Sequence, residues 1–278
     1  MATSDLRIQE KILRKVLRRL SEAEWNNTPL GLGRELQIFK IIRKYTGVED
    51  PYLDVKKRSN EEALQLLPWV RKVVQESDDP LRASVLVSIA GNIIDAATVD
   101  EYDLKATILK TLETKPRIDH YGLLKEDVKR AETLLYFADN AGEIVFDKLL
   151  IEEMIRFRGR PFKKVSFVVK GGPIINDATI EDALMAGIHR IPNVKILKVS
   201  NGDESTSPDI LSEEVRNWLK NHDLVISKGQ GNYEDLSEVG TPYFLLMVKC
   251  PVIGEDIGVN VGDIVIMRGN KNAYFGFM

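Results

Sequence analysis

The chain is short of cysteine: Cys250 is the only one among 278 residues, so no disulfide can close within it and no thiolate metal cluster can be built from it. Cys250 sits near the end of an apolar run and reads as a small buried hydrophobe. Histidine is nearly as scarce. His120, His189 and His222 stand far apart, without the spacing of a histidine zinc site. Charge of one sign is lacking too: 39 Lys and Arg balance 42 Asp and Glu, a net charge of −3. That balance gives no electrostatic basis for nucleic acid or an anionic membrane as partner, although a local site for a small phosphorylated ligand can oppose the global sign. No apolar run reaches the roughly 18–20 residues of a membrane span. The longest, 85–97 and 243–253, are broken by Asn92 and Asp95 and by Lys249. The first ten residues are charged and polar, with no apolar segment of the secretory kind, so a cytoplasmic protein is expected.

What is present divides into two halves of different periodicity. Ile8, Ile12, Leu13, Val16, Leu17 and Leu20 share one helical face. Helical segments are expected at about 33–45, 60–76, 80–98, 102–113 and 121–131, with Ser59-Asn60 and Asp79-Pro80 as start signals and no strand before about residue 132. Beyond that point, 133–138, 165–170, 194–199, 224–227, 243–248 and 264–267 are short, continuous apolar runs, as in parallel strands buried on both faces. Amphipathic stretches at about 143–158, 178–187 and 208–221 lie between them. The expected fold class is α/β: an all-α domain over 1–130, then a Rossmann-like, doubly wound, mainly parallel sheet domain over 131–278.

Ligands of such sheets bind at the carboxyl ends of the strands. Three expected strand ends carry Gly-rich, polar loops: Asp139-Asn140-Ala141-Gly142-Glu143, Gly171 to Thr179, and Lys228 to Glu234. Asp139, Asn140 and Asp177 offer the oxygen ligands that hard divalent cations prefer. Taken singly, Asp139 and Asp177 are equally read as helix caps. Lys228, ahead of Gly229 and Gly231, suits a phosphate-binding turn or a solvated loop. Asn92 and Asp95, three apart in an apolar segment, face one way, towards either a helical neighbour or a substrate.

Several familiar motifs are missing. Glu234 stands where a dinucleotide fingerprint needs its third glycine, no Gly-Lys-Ser/Thr marks a P-loop, and no Gly-x-Ser-x-Gly elbow occurs. Ala141 stands where a haloacid-dehalogenase phosphatase needs its second aspartate.

Together the three loops and the helical motif Ala-Gly-Asn-Ile-Ile-Asp at 90–95 resemble the DUF89 family of damage-control phosphatases, above all its small archaeal-type members, over nearly the whole chain. The resemblance implies a divalent cation (Mg, Mn, Co or Ni) held by Asp139, Asn140 and Asp177. It also implies phosphate contact by Lys228 and hydrolysis of phosphate monoesters of sugars or related metabolites. Relatives of this type commonly begin with Cys-x-x-Cys, and this chain does not. Asp139, Asp177 and Lys228 are the candidate catalytic residues, with Asn92, Asp95, Glu143 and Asn232 as candidates for substrate positioning. Two other readings stay open. One is a carboxyl methyltransferase using S-adenosylmethionine, which lacks its usual Gly-rich loop after the first strand. The other is a non-catalytic phosphometabolite-binding protein.

Overall fold

The computed structural model describes residues 2–22, 38–91, 104–199 and 212–269. Helices come first: α1 (Leu6–Glu22), α2 (Ile38–Thr46), α3 (Leu53–Gln75), α4 (Pro80–Gly91) and α5 (Leu104–Glu113). Strands with interleaved helices follow: β1 (Ile118–Asp119), α6 (Tyr121–Arg130), β2 (Thr133–Phe137), α7 (Glu143–Arg158), β3 (Lys164–Lys170), α8 (Ile180–Met185) and β4 (Val194–Val199). The described chain closes with α9 (Glu213–Lys220), β5 (Leu224–Lys228), α10 (Gly229–Leu236), β6 (Tyr243–Met247), α11 (Pro251–Ile257) and β7 (Ile264–Arg268). No helix among the described residues is long and apolar enough to cross a membrane.

The strands form a seven-stranded sheet in the order β1-β7-β6-β5-β2-β3-β4. Every neighbouring pair is parallel except β6 with β7. From β2 the chain winds outward through β3 to β4, then crosses back to lay β5 on the other side of β2. The pair β2–β5 is therefore the switch point, where adjoining connections leave in opposite directions and open a crevice.

Two apolar layers cover the sheet. Leu134, Tyr136, Phe167 and Ile226 join Val70, Leu86, Phe146 and Leu150 of the helices on one face. Leu135, Phe137, Val168 and Phe244 meet Val215, Tyr233, Leu236 and Ile253 on the other. Coverage on both sides explains why the strands read as unbroken apolar runs. Tyr136 stacks on Phe167 with ring centres 5.4 Å apart, bridging β2 and β3.

The Asp79-Pro80 start signal holds: α4 begins at Pro80, and Asp79 Oδ1 accepts the Arg82 N–H at 3.2 Å. Ser59-Asn60 does not start a helix. Both residues are buried inside α3, which begins at Leu53. The stretch from Lys228 to Glu234, expected as a loop, lies from Gly229 onward within α10, and a strand precedes residue 132 in the two-residue β1.

Candidate active site

The backbone brings two of the polar loops into register. Beyond β2, the Ala141 N–H donates to Asn176 O at 2.9 Å and the Ala178 N–H to Asp139 O at 2.8 Å. Between them Asn140 and Asp177 form an antiparallel bridge. The Lys170 N–H closes the base of the second loop on Ala178 O at 2.9 Å. The loop after β3 thus folds back onto the loop after β2, setting Asp139, Asn140 and Asp177 side by side at the switch point. Ile175, in the turn that delivers Asp177, takes φ 36°, a conformation that is unfavourable for a β-branched residue.

The third loop arrives from β5. Gly229 opens α10 with φ 75°, and a β-carbon on it would lie 2.0 Å from Asp139 Oδ2. The Asp139 carboxylate therefore occupies the space that any side chain at 229 would need. The Asn140 side-chain N–H donates to Asp139 Oδ2 at 3.0 Å, fixing the carboxylate from the other flank. The side chain of Asp177 is 18% exposed and lies 3.7 Å from Lys170 Nζ. Burial pushes its carboxyl up from the usual range, Lys170 and Lys56 pull it down, and Glu143 adds to the rise.

Beneath this surface lies a buried charge network. Lys228, Glu143 and Asp147 are each fully inaccessible. Lys228 Nζ donates to Ser88 O at 2.9 Å, to Asp147 Oδ1 at 3.0 Å and closely to Glu143 Oε1. The Tyr136 hydroxyl donates to Asp147 Oδ1 at 2.7 Å. Burial alone would lower the Lys228 pKa, but Asp147 and Glu143 outweigh it and raise it, keeping the ammonium charged. Burial drives Asp147 the other way, to about 7, with Lys228 opposing. The other oxygen of Glu143 faces the Asn140 backbone and side-chain N–H groups, both at 3.4 Å. Lys228 thus holds Glu143, and Glu143 in turn supports Asn140.

Asn232 ties the strand ends together. Its side-chain N–H groups donate to Ala138 O at 2.9 Å and Lys228 O at 2.8 Å, and its Oδ1 accepts from Lys170 Nζ at 3.3 Å. From the helical side, Asn60 accepts the Gly142 N–H at 2.7 Å and donates to Asp182 at 2.9 Å. Asp182 also accepts from the Thr179 N–H at 2.9 Å and hydroxyl at 2.7 Å, and from Lys56 at 3.2 Å. Lys56 pairs with Asp50 as well, at 2.8 Å. Beside this cluster opens a cavity of about 430 Å³, lined by Lys56, Lys57, Lys170, Gly171, Gly172 and Lys198 among others. A second cavity, of about 520 Å³, is lined by His222, Asp223 and Leu224 at the amino end of β5, away from the three loops.

The structure therefore brings Asp139, Asn140 and Asp177 together, with Glu143, Lys228 and Asn232 packed behind them. Asn92 and Asp95 lie outside the described residues. Four residues that sequence reasoning passed over join the cluster: Lys170, Asp147, Asn60 and Asp182. Lys170 carried a usable signal, since it ends a strand immediately before Gly171-Gly172. Asp147 carried another, one turn after Glu143 on a helix otherwise apolar at that face. Among the described residues no three His, Cys, Asp or Glu gather as a ready metal cluster. A cation would be held instead by two carboxylates, the Asn140 amide oxygen and water. That donor set suits a hard divalent ion, which keeps part of its hydration, and the cradle formed at Gly229 already fixes one of the carboxylates.

A mainly parallel sheet with polar loops gathered at its switch point defines the class of open α/β proteins that bind small ligands at the carboxyl ends of their strands. Residues 1–265 match the family described as Damage-control phosphatase ARMT1-like domain, and the chain belongs to that family. Phosphatases of this family are generally metal-dependent. A damage-control phosphatase of Archaeoglobus fulgidus is 37% identical over 272 residues, 95% of this chain and 91% of that protein. One from Pyrococcus horikoshii is 32% identical over 271 residues, covering 96% of this chain and 91% of that protein. A crystal structure of a DUF89 family protein from Pyrococcus horikoshii superposes with a TM-score of 0.81 at 31% identity. It covers 97% of this chain and 92% of that one.

Proposed function

We propose that this chain hydrolyses phosphate monoesters of small metabolites such as sugar phosphates, with a divalent cation, Mg, Mn, Co or Ni, held by Asp139, Asn140 and Asp177. The observation that supports this reading is the backbone bridge between Asn140 and Asp177, which brings residues 139, 140 and 177 next to one another at the strand ends. Membership of a phosphatase family, and relatives named damage-control phosphatases, support the same chemistry.

In this reading the phosphorus–ester oxygen bond breaks, a water oxygen bonds to phosphorus, and the leaving oxygen takes up a proton. The cation, when bound, polarises the phosphoryl group and neutralises charge on its oxygens. The protein supplies position and electrostatics, which is most of what phosphoryl transfer requires. Gly229 and the Asn140 amide hold Asp139 in place. Asn232 fixes the spacing of the β2 and β5 ends. We assign Lys228 and Glu143 a positioning role, because the Lys228 ammonium is consumed by Ser88, Glu143 and Asp147. Asn92 and Asp95 remain candidates for holding the substrate's hydroxyl groups. Water is taken as the attacking group, since Ala141 stands where an aspartyl-phosphate enzyme has its partnering acid.

The test is phosphate release from p-nitrophenyl phosphate and a sugar-phosphate panel by EDTA-stripped protein, with each metal added back in turn. Turnover that requires metal is expected. Absence of turnover from folded, metal-bound protein would instead point to a phosphometabolite-binding protein.

A further inference from the structure

Lys228 does not offer its charge to the crevice, because its three donors are spent in a fully buried network. Another lysine stands at the opening. Lys170 ends β3, beside β2, and its ammonium sits between Asp177 Oδ2 at 3.7 Å and Asn232 Oδ1 at 3.3 Å. Both contacts are long for a charge-assisted bond, and an ammonium has three donors to offer. Lys170 is 6% exposed, so its charge is little screened, yet it lines the cavity of about 430 Å³ together with Gly171 and Gly172. Next to Asp177, the buried Asn176 side chain has an amide N–H without an acceptor. Two donors lacking strong acceptors beside a candidate metal ligand are what an incoming phosphoryl group would satisfy.

We propose that Lys170 is the cation that meets the substrate's phosphoryl oxygens, and that the cavity beside it receives the rest of the substrate. The inference rests on the phosphatase reading for its chemistry. The cavity wall is mixed: Leu53, Ile180 and Met185 are apolar, Thr179 is polar, Lys57 and Lys198 are cationic, and Asp50, Glu181 and Asp182 are acidic. A compact polyhydroxylated carbon skeleton, which can donate to the carboxylates and accept from the lysines, fits such a wall better than a flat aromatic one. Lys56 belongs to the scaffold here, since Asp50 and Asp182 both pair with it.

The experiment uses metal-loaded protein and two probes, inorganic phosphate and sugar phosphates. Lys170→Met keeps the length of the side chain and removes its charge. It should weaken inorganic phosphate binding about tenfold or more by calorimetry and lower kcat/KM about 100- to 1,000-fold, as loss of one charge-stabilising donor typically does. Metal affinity should stay within about threefold, and Lys170→Arg should recover part of the loss. Leu53→Trp, at an exposed position on the cavity wall, should raise KM for sugar phosphates while leaving inorganic phosphate affinity unchanged. Phosphate affinity within twofold of wild type in Lys170→Met would overturn the assignment. An unchanged KM in Leu53→Trp would overturn the placement of the substrate. If the wild type binds phosphate through Lys170 but turns over no ester, the phosphatase reading fails and the anion site stands.

Discussion

A β-carbon at Gly229 has nowhere to go: the Asp139 carboxylate fills its position, and φ 75° disfavours any other residue there. Gly229→Ala should therefore displace Asp139 by about 1 Å and lower kcat/KM about 100-fold, while the protein still folds. Steady-state kinetics beside a circular dichroism melt checks this. Lys228 behaves differently, since its loss would leave Glu143 and Asp147 buried without their counter-charge. Lys228→Met should cost about 3–5 kcal/mol in urea unfolding, the usual penalty for breaking a buried pair from one side. At this scale the sequence was informative where a residue's position along the strand decides its role. Asp139, Asn140 and Asp177 follow apolar runs, and such positions fall at the crevice. It was silent on which way Lys228 points, because that depends on the strand's pleat. Lys228 shares a face with Leu224 and Ile226, whose layer packs under the helices. Asn60 was illegible for a related reason: an amide inside a helix looks like a capping signal until a tertiary partner is known.

At the level of elements, β2 and β5 are tied at both ends. Asn232 joins them at the crevice, and Asp223 joins them at the far end. There Asp223 Oδ2 accepts from the Glu132 N–H at 2.9 Å, the Thr133 N–H at 3.0 Å and the Thr133 hydroxyl at 3.0 Å. Hydrogen bonding by the Glu132 N–H, with Thr133 contributing, holds the Asp223 carboxyl below its usual range despite some burial. A depressed folded pKa means this clamp stabilises fully above about pH 4 and is lost as pH falls through the lower, folded value. Asp223→Ala should cost about 1 kcal/mol at neutral pH, with the gap to wild type closing towards pH 3. Urea midpoints measured across that range would show it, and a gap independent of pH would contradict the assignment. Most elements were legible from apolar periodicity, the five long central strands above all. The exceptions have physical causes. β1 is two residues long, too short for any period, and exists because β7 is there to pair with it. α10 carries Gly229 and Gly231, which argue for loop locally, but Tyr233 and Leu236 bury against the sheet and the helix wins.

At the scale of the molecule, the N-terminal helices and one face of the sheet share an apolar layer running from Ala63 in α3 to Ile266 in β7. α4 lies against the first turn of α7 so closely that a β-carbon on Gly91 would come within 2.9 Å of Phe146. The helical layer therefore bears directly on the residues behind the crevice, and substitutions in α3 or α4 should reach the site through Asn60, Ser88 and Glu143. In the proposed function Asp139, Asn140 and Asp177 together hold a divalent cation. Calorimetric titration of Mn²⁺ into stripped wild type, Asp139→Ala and Asp177→Ala tests it without depending on any substrate. One site per chain in the wild type, weakened at least about tenfold in both variants while each stays folded, is the expected result. Manganese affinity unchanged by either substitution would contradict it.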